Sequence, residues 1–234
     1  MVSLRQVGDV VARVAVDRLQ VEHFAGSLPW RRFRSRHGQA HLSGAYWAAT
    51  TGGHVVYESR LELARLLLAD FDPQVAGIWS QPCLLTASVG GKPRRHVPDF
   101  LLVSPGGVAT VVNVKPADRL SDPRVAERLD WPGRLLKAHG WRYEVWSGCE
   151  SVLLDNVRFL AAYRRPGVVV EAAVRRAWDA VADGEALGAV ELRLAGPAPG
   201  WTARPGLLAL LWRHRLVTDL SRPLSAASVL RRCG

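Results

Sequence analysis

The sequence has few cysteines, no long hydrophobic run and no leader-like segment. Its three cysteines, Cys83, Cys149 and Cys233, lie far apart and form no Cys-x-x-Cys pair, which argues against a disulfide framework and a structural zinc site. A reducing, cytoplasmic location is therefore expected. No apolar run approaches the ~18 residues that cross a bilayer, and charged residues interrupt residues 1–26, so neither a membrane partner nor a signal peptide is expected.

Acidic residues are scarce relative to basic ones. Lys and Arg total 31 against 21 Asp and Glu, which gives a net charge of +10 and a sequence pI near 10.5. Most of the excess is arginine, whose planar fork matches phosphate geometry, so a polyanionic partner such as DNA is indicated. Solubility, or an organism that favours arginine, would also explain the charge, so charge alone does not assign a nucleic-acid function.

The central part of the sequence predicts an α/β layered core. Strand and helix patterns alternate, and near-continuous Val and Leu runs are typical of strands that are buried on both faces. A proline, Pro132, should kink or split one of the helices. The predicted elements, in chain order, are a hairpin (46–57), a helix (59–70), strands in "GIWSQPCLLTASV", "HVPDFLLVSP" and "GVATVVNVKP", a helix (122–140), a strand in "WRYEVWSG" and a helix in "SVLLDNVRFLAAYRR".

The N-terminal part, residues 1–45, is predicted to be an arm or short helix followed by a basic segment. Opposite charges recur every four residues between Val2 and Val21, a spacing that places them on one helical face. The basic segment "WRRFRSRHGQAH" interleaves aromatic and basic residues. It is interpreted either as a solvated loop or as an arm that contacts phosphates. Its candidate DNA-binding residues are Arg31, Arg32, Arg34 and Arg36.

A second, smaller unit is predicted for residues 167–234. Three short helical patterns precede a β-ribbon pattern, an order that suggests a winged-helix-like domain that binds DNA or a partner protein. Arg213 and Arg215 follow the apolar run of its third helix. They either contact DNA phosphates or form a charged helix end that complements the helix dipole.

Three ionisable residues occupy the ends of predicted elements in the core. Glu62 lies in the first turn of the first helix, Asp99 precedes one apolar strand, and Lys115 ends the next. If these strands form an antiparallel hairpin, Asp99 and Lys115 share one end of it, and the helix can present Glu62 over that end. Charges in such apolar surroundings are costly unless they are paired or bind a metal.

This combination suits phosphodiester hydrolysis with Mg²⁺ (or Mn²⁺). Asp99 would be the central ligand, Glu62 would bind directly or through water, and the carbonyl of Val114 would be a neutral ligand. Lys115 would orient the attacking water or stabilise charge in the transition state.

Each of these residues also has a purely structural explanation. Glu62 completes a Ser-x-x-Glu capping box with Ser59, Asp99 begins a strand, and Lys115 extends from a strand end towards solvent. Glu58 is an alternative to Glu62, because it lies four positions earlier.

Three neighbouring residues are candidates for a supporting role. Gln81 either supports the site or packs beside a proline, and His96 either contacts a phosphate or makes a backbone hydrogen bond. Asn113 lies two positions before Lys115, where a carboxylate would hold a cation more strongly than an amide.

The order of these motifs resembles the PD-(D/E)xK nuclease superfamily, which has a restriction-endonuclease-like fold. The closer resemblance is to TnsA, the endonuclease subunit of heteromeric transposases, and it covers roughly residues 46–165. The shared landmarks are "TTGGHVVYESRLELARLLLADFDP", "QP" at 81–82, "PDF" at 98–100 and "VKP" at 114–116. This resemblance implies a mixed central sheet flanked by helices, with residues 46–166 as the nuclease domain.

The resemblance also implies an activity and partners. Such subunits cut DNA at the 5′ transposon ends with a metal ion, beside a DDE-type (TnsB-like) transposase and an AAA+ (TnsC-like) regulator. The wider superfamily has an acid at the position of Asn113, and TnsA-like proteins have a neutral Gln. Two alternatives therefore stay open: a non-cutting DNA-binding or scaffold protein, and a stand-alone restriction or repair nuclease.

Overall fold

The computed structural model describes residues 1–31, 43–195 and 203–233. It divides into two compact units, residues 1–148 and 149–234. Three of the candidate DNA-binding residues, Arg32, Arg34 and Arg36, lie outside the described residues. Within the described ranges, no helix is both long enough and apolar enough to cross a membrane.

The first unit contains two α-helices and ten strands among its described residues. The helices are α1 (Arg60–Phe71) and α2 (Pro123–Ala138). The strands are β1 (Val2–Arg5), β2 (Val11–Val14), β3 (Gly44–Ala48), β4 (Gly53–Tyr57), β5 (Gly77–Ser80), β6 (Leu84–Val89), β7 (Lys92–His96), β8 (Phe100–Val103), β9 (Ala109–Val114) and β10 (Arg142–Trp146).

A mixed sheet of order β10-β9-β8-β5 forms the centre of this unit. β9 and β10 are parallel, and the other two pairs are antiparallel. All four residues of β8 are buried, which confirms the burial that its apolar run predicts. Phe100 pairs with Val112 across the β8–β9 hairpin. Asp99 therefore precedes β8 at the end of the hairpin where Lys115 follows β9.

The predicted hairpin and first helix are confirmed. β3 and β4 pair in antiparallel register, and Ser59 caps α1 by accepting a hydrogen bond from the Glu62 N–H at 3.1 Å. Asp70 near the end of α1 is buried and accepts hydrogen bonds from the Tyr46 hydroxyl and the Thr50 N–H, both at 2.7 Å. These bonds fix the hairpin against the helix that carries Glu62.

The N-terminal segment forms two strands and short 3₁₀ turns, so the helix, which is one of the two alternatives for Val2–Val21, is wrong. β1 lies between β2 and β6 in an antiparallel sheet of order β2-β1-β6-β7. Val2 and Leu4, one strand period apart, are 0% and 1% exposed. Burial of these side chains outweighs helical charge pairs, which contribute only about 0.2–0.5 kcal/mol each.

Two stretches that the sequence presents as single strands are each divided. The first breaks at Gln81, a non-glycine residue with a φ of 44°, where the chain leaves β5 in the mixed sheet and enters β6 in the antiparallel sheet. The second divides between β7, which ends at His96, and β8. In both cases, one of the two resulting strands belongs to the mixed sheet and the other belongs to the antiparallel sheet.

Helix α2 continues through Pro132, so the proline does not split it. The adjacent Gly133 is buried, and a Cβ at this position would lie 2.9 Å from the ring of Tyr143 on β10. The glycine thus allows α2 to approach the edge strand of the mixed sheet closely.

The second unit has its own buried core. Residues 206–212 of its last helix are all buried, and its two short strands pair in antiparallel register. Its elements are α3 (Ser151–Leu160), α4 (Glu171–Ala180), α5 (Leu187–Leu194), α6 (Arg204–Trp212), β11 (Leu216–Val217) and β12 (Arg231–Arg232). The three helices α4 to α6 followed by a strand pair have the order that the sequence predicts.

Helix α3, which the sequence presents as the closing helix of the first core, belongs to the second unit. Its buried Asn156 contributes to this, because its amide nitrogen donates to the carbonyls of Leu220 and Arg222 at 2.9 and 2.7 Å. Its amide oxygen accepts from the Leu224 N–H at 3.0 Å. One side chain on α3 thereby fixes a loop that lies more than sixty residues later in the chain.

Candidate active site

A cavity of about 900 Å³ lies in the first unit, at the end of the mixed sheet where β8 begins and β9 ends. Glu62, Asp99 and Lys115 all line it. Residues that are scattered along the chain are brought together because the β8–β9 hairpin and the start of α1 converge there. The three predicted site residues thus share one cavity, and their catalytic roles stay predictions.

Both carboxylate oxygens of Glu62 take part in the capping of α1. They accept hydrogen bonds from the Glu58 N–H at 2.8 Å and from the Ser59 hydroxyl at 3.0 Å. Burial raises the pKa of the Glu62 carboxyl, and the charge of Asp99 adds to this, while the Glu58 N–H opposes it. A carboxylate oxygen has two acceptor sites, so the capping box orients Glu62 and still leaves acceptor capacity in the cavity.

Asp99 is fixed by its side chain and by its main chain. Its Oδ2 accepts a hydrogen bond from the Val114 N–H at 2.6 Å, and its own N–H donates to the Val112 carbonyl at 3.1 Å. Burial raises the pKa of the Asp99 carboxyl, against the opposing effects of the Val114 N–H and the Lys115 ammonium. The Lys115 N–H in turn donates to the Trp146 carbonyl at 2.9 Å, which anchors the lysine at the end of β9.

The donor set fits a hard divalent cation. No group of three or more His, Cys, Asp or Glu side chains within residues 1–31, 43–195 and 203–233 is arranged to hold a metal ion. Mg²⁺, however, is commonly held by one or two carboxylates together with waters and substrate phosphates. The Asp99 charge raises the pKa of Glu62, and the Glu58 charge raises that of Asp99. A bound cation would relieve this repulsion.

His96 hydrogen-bonds a side chain rather than the backbone. Its Nε2 lies 2.7 Å from Oδ1 of Asn113, which is only 1% exposed. Burial, together with the Lys115 and Arg31 charges, lowers the pKa of His96 to about 4, against the opposing effect of the hydrogen bond to Asn113. The neutral ring therefore donates from Nε2. The Asn113 oxygen is thus already engaged, and its buried Nδ2 has no hydrogen-bond partner among the described residues.

Gln81 connects the Asp99 segment with the basic N-terminal segment. It is 3% exposed, and its N–H donates to the Asp99 carbonyl at 2.8 Å. Its main-chain oxygen accepts from the Trp30 N–H at 2.9 Å, and its side-chain oxygen accepts from the Arg31 N–H at 3.2 Å. The Arg31 guanidinium lines the cavity and forms an ion pair with Glu58. Gln81 thus has a supporting position, and it fixes Arg31 beside the carboxylates.

Several cavity-lining residues were missed by the sequence analysis. A signal was present, since Gly90-Gly91 between "LLTASV" and "KPRRH" is a typical hairpin turn. Both glycines have positive φ, and the hairpin brings β7 to the cavity. Arg94 of β7 forms an ion pair with Glu127 of α2. The missed lining residues include Arg94, Arg95, Arg119, Glu127, Arg128 and Trp131.

In the second unit, Arg213 and Arg215 are both engaged. Arg213 forms an ion pair with Glu171 at 2.7 Å, and the Arg215 guanidinium lies 4.5 Å from the ring centroid of Trp178. Arg232 of β12 stacks on the same ring at 4.5 Å. These contacts fix basic side chains beside the strand pair, and their DNA contacts stay a prediction.

Comparison with known families gives a match over part of the chain. Residues 72–148 match the model of the TnsA-like endonuclease N-terminal domain. This segment includes Asp99 and Lys115, whereas Glu62 and Arg31 precede it. A search of curated proteins found no match.

Proposed function

We propose that this chain is a metal-dependent DNA endonuclease subunit of a TnsA-like heteromeric transposase, and the match over residues 72–148 supports this proposal. It would hydrolyse phosphodiesters at transposon 5′ ends. The observation that carries this proposal is that Glu62, Asp99 and Lys115 line one cavity.

Glu62 and Asp99 are the side chains that would hold Mg²⁺ (or Mn²⁺), with the Val114 carbonyl as a further ligand. When bound, the cation supplies positive charge beside the phosphate and lowers the pKa of the attacking water. The hydrogen bonds that Glu62 and Asp99 already make keep their carboxylates oriented, so little rearrangement is needed when substrate arrives. Asn113 supports the site through His96 instead of acting as a ligand.

Lys115 acts on the phosphate and the attacking water. Its ammonium lies close enough to Asp99 to lower the pKa of that carboxyl. A cation fixed at this strand end stabilises the negative charge that develops on the phosphate oxygens in the transition state. Basic residues that line the cavity, such as Arg95 and Arg128, would contact flanking phosphates of the same DNA.

Residues 149–234 would bind DNA or the partner transposase as a winged-helix-like domain. The support is the order of three helices and a strand pair, with Arg215 and Arg232 fixed on Trp178. The proposed partners are a DDE-type (TnsB-like) transposase and an AAA+ (TnsC-like) regulator. A gene for a DDE-type transposase beside this one would support transposition, whereas a neighbouring methyltransferase gene would favour a stand-alone restriction nuclease.

Replacement of the lysine tests the mechanism. Lys115→Ala should lower turnover on duplex DNA in Mg²⁺ by ~10²-fold or more while Mn²⁺ affinity, measured by calorimetry, stays within about threefold. Lys137→Ala is the matched control, because Lys137 is exposed on α2 and does not line the cavity. The assay is run with the chain alone and with the partner subunits. Equal losses of turnover and metal affinity would contradict the role given to Lys115.

A second candidate function is a non-cutting DNA-binding or scaffold subunit. The observation that favours it is Asn113, whose oxygen is held by His96 at 2.7 Å at the position where the wider superfamily has an acidic ligand. If the complete set of subunits binds DNA but shows no Mg²⁺-dependent cleavage, and Asn113→Asp introduces cleavage, this second function is correct.

A further inference from the structure

Arg31 is a cation that lines the cavity, as Lys115 does, but it precedes the segment that matches the nuclease family. We propose that Arg31 is a phosphate-binding residue of this site, and that a DNA phosphate replaces Glu58 as the partner of its guanidinium. This inference rests on the proposed function, because the ligand that it assigns to Arg31 is a phosphodiester of DNA. It adds a binding residue and an exchange of partners to that function.

The position of Arg31 is fixed by the main chain. Its N–H donates to the buried Gln81 side chain, and the preceding N–H of Trp30 donates to the Gln81 main-chain oxygen. Gln81 is itself bonded to the Asp99 carbonyl at 2.8 Å. Arg31 therefore has a defined place relative to Asp99, although the two residues lie far apart in the chain.

The Arg31 charge is close enough to Asp99 and His96 to influence both groups. The Arg31 charge lowers the pKa of Asp99 and adds to the lowering at His96. Its side chain is 50% exposed, so a substrate can reach it. Among the described residues, Lys115 and Arg31 are the cations whose charges lower the pKa of the Asp99 carboxyl.

The present partner of Arg31 is one that a phosphate can displace. The Arg31–Glu58 pair is half-exposed, with side-chain exposures of 50% and 31%, and such pairs contribute only about 0–1 kcal/mol. A phosphodiester presents two non-bridging oxygens that share one negative charge and match the guanidinium fork. Both Arg31 and Glu58 line the cavity, so exchange requires a movement of side chains alone.

The test measures DNA affinity in EDTA, by fluorescence polarisation of a short labelled duplex with the full chain over a range of salt concentrations. Arg31→Gln should weaken binding by about fivefold or more and reduce the salt slope by about one, the value for one lost phosphate contact. The matched control is Arg134→Gln, because Arg134 pairs with Asp130 on the exposed face of α2 and does not line the cavity. This control should stay within about twofold of the unaltered chain.

The exchange of partners is tested by Glu58→Gln, alone and combined with Arg31→Gln. If Glu58 competes with DNA for Arg31, Glu58→Gln tightens binding several-fold only when Arg31 is present. Equal tightening in both backgrounds would refute the exchange. If Arg31→Gln binds DNA as Arg134→Gln does, the phosphate-binding role is wrong. Arg31→Lys, which keeps the charge and loses the fork, should retain the salt slope with weaker affinity, and thermal melting checks that each variant is folded.

Cleavage in Mg²⁺ by the unaltered chain, with its partner subunits, separates the two proposals. If cleavage is absent while Arg31→Gln still loses one unit of salt slope, the endonuclease function fails and the phosphate-binding role stands. If cleavage is present while Arg31→Gln leaves the salt slope unchanged, the endonuclease function stands and the phosphate-binding role of Arg31 is wrong.

Discussion

Asp99 occupies a position that favours its neutral form. Burial raises the pKa of its carboxyl above the ordinary value of 3.8, so the folded state binds this proton more tightly than the unfolded chain does. The resulting destabilisation is absent below the ordinary pKa and complete above the raised one. At neutral pH, without a cation, the charged carboxylate therefore lowers the stability of the first unit.

We expect Asp99→Asn to abolish cleavage and to stabilise the metal-free protein. The amide oxygen can still accept the hydrogen bond from the Val114 N–H, while the buried charge is removed. The gain at pH 7 should be about 1 kcal/mol, or roughly 3 °C in the Tm of the first unit. Scanning calorimetry in EDTA at pH 7 and pH 4 measures it, and the gain should shrink at the lower pH. A loss of stability at pH 7 would contradict this account.

His96 should make the protein sensitive to acid. Burial lowers its pKa from 6.5 to about 4, so the unfolded chain binds more protons than the folded chain between these values. Stability is therefore complete above pH 6.5 and falls as the pH drops towards 4.

His96→Gln should remove this sensitivity, because glutamine can still donate to the Asn113 oxygen and does not titrate. Over this pH range the Tm of the unaltered protein should fall by several degrees more than that of His96→Gln. The exposed His54 on β4 provides the control, and His54→Gln should follow the unaltered curve. If His96→Gln and the unaltered protein lose stability in parallel, His96 is not the responsible group.

Among the elements, α2 depends on Gly133 for its place against β10. Alanine would improve helix propensity by about 1 kcal/mol, but its Cβ would lie 2.9 Å from the Tyr143 ring. The clash should cost roughly 1–3 kcal/mol, so we expect Gly133→Ala to destabilise the first unit in urea denaturation.

The control for this prediction removes the ring. In a Tyr143→Val background the clash is gone, and Gly133→Ala should become neutral or stabilising. A stabilising effect of Gly133→Ala in the unaltered protein would show that α2 does not require the close approach.

The elements that the sequence predicts correctly are those with local signals. The Gly52-Gly53 turn, the Ser59 cap and the paired Val and Leu runs of β8 and β9 each identify an element without knowledge of the rest of the chain. Glu62, Asp99 and Lys115 could be proposed for the same reason, because they occupy the ends of these elements. Their catalytic roles stay predictions.

The features that the sequence does not reveal depend on distant partners. β1 is a strand because Val2 pairs with Leu85 in β6, a contact that no local pattern records. The partners of Asn113 and Arg31 are likewise distant, since His96 and Gln81 reach them only once two sheets have assembled. Periodicity describes single elements and contains no information on such contacts.

At the scale of the whole molecule, helix α3 belongs to the second unit, and Asn156 contributes to this. Because Asn156 on α3 bonds Leu220, Arg222 and Leu224, a fragment of residues 149–234 should unfold cooperatively when it is heated. A fragment of residues 167–234, which begins at the boundary that the sequence suggests, lacks these bonds and should be largely unfolded. Circular dichroism compares the two fragments, and equal cooperativity would show that α3 is dispensable to the second unit.

The residue at position 81 must satisfy two structural requirements, one on its backbone and one on its side chain, and no single amino acid satisfies both fully. A backbone φ of 44° is easiest for glycine, whereas the bond to the Arg31 N–H requires a side-chain carbonyl of glutamine's reach. In a library of all amino acids at this site, selection for abundance in the cell should therefore enrich glycine. Selection for the proposed DNA cleavage should instead keep glutamine, because its side chain accepts the hydrogen bond that positions Arg31 in the cavity.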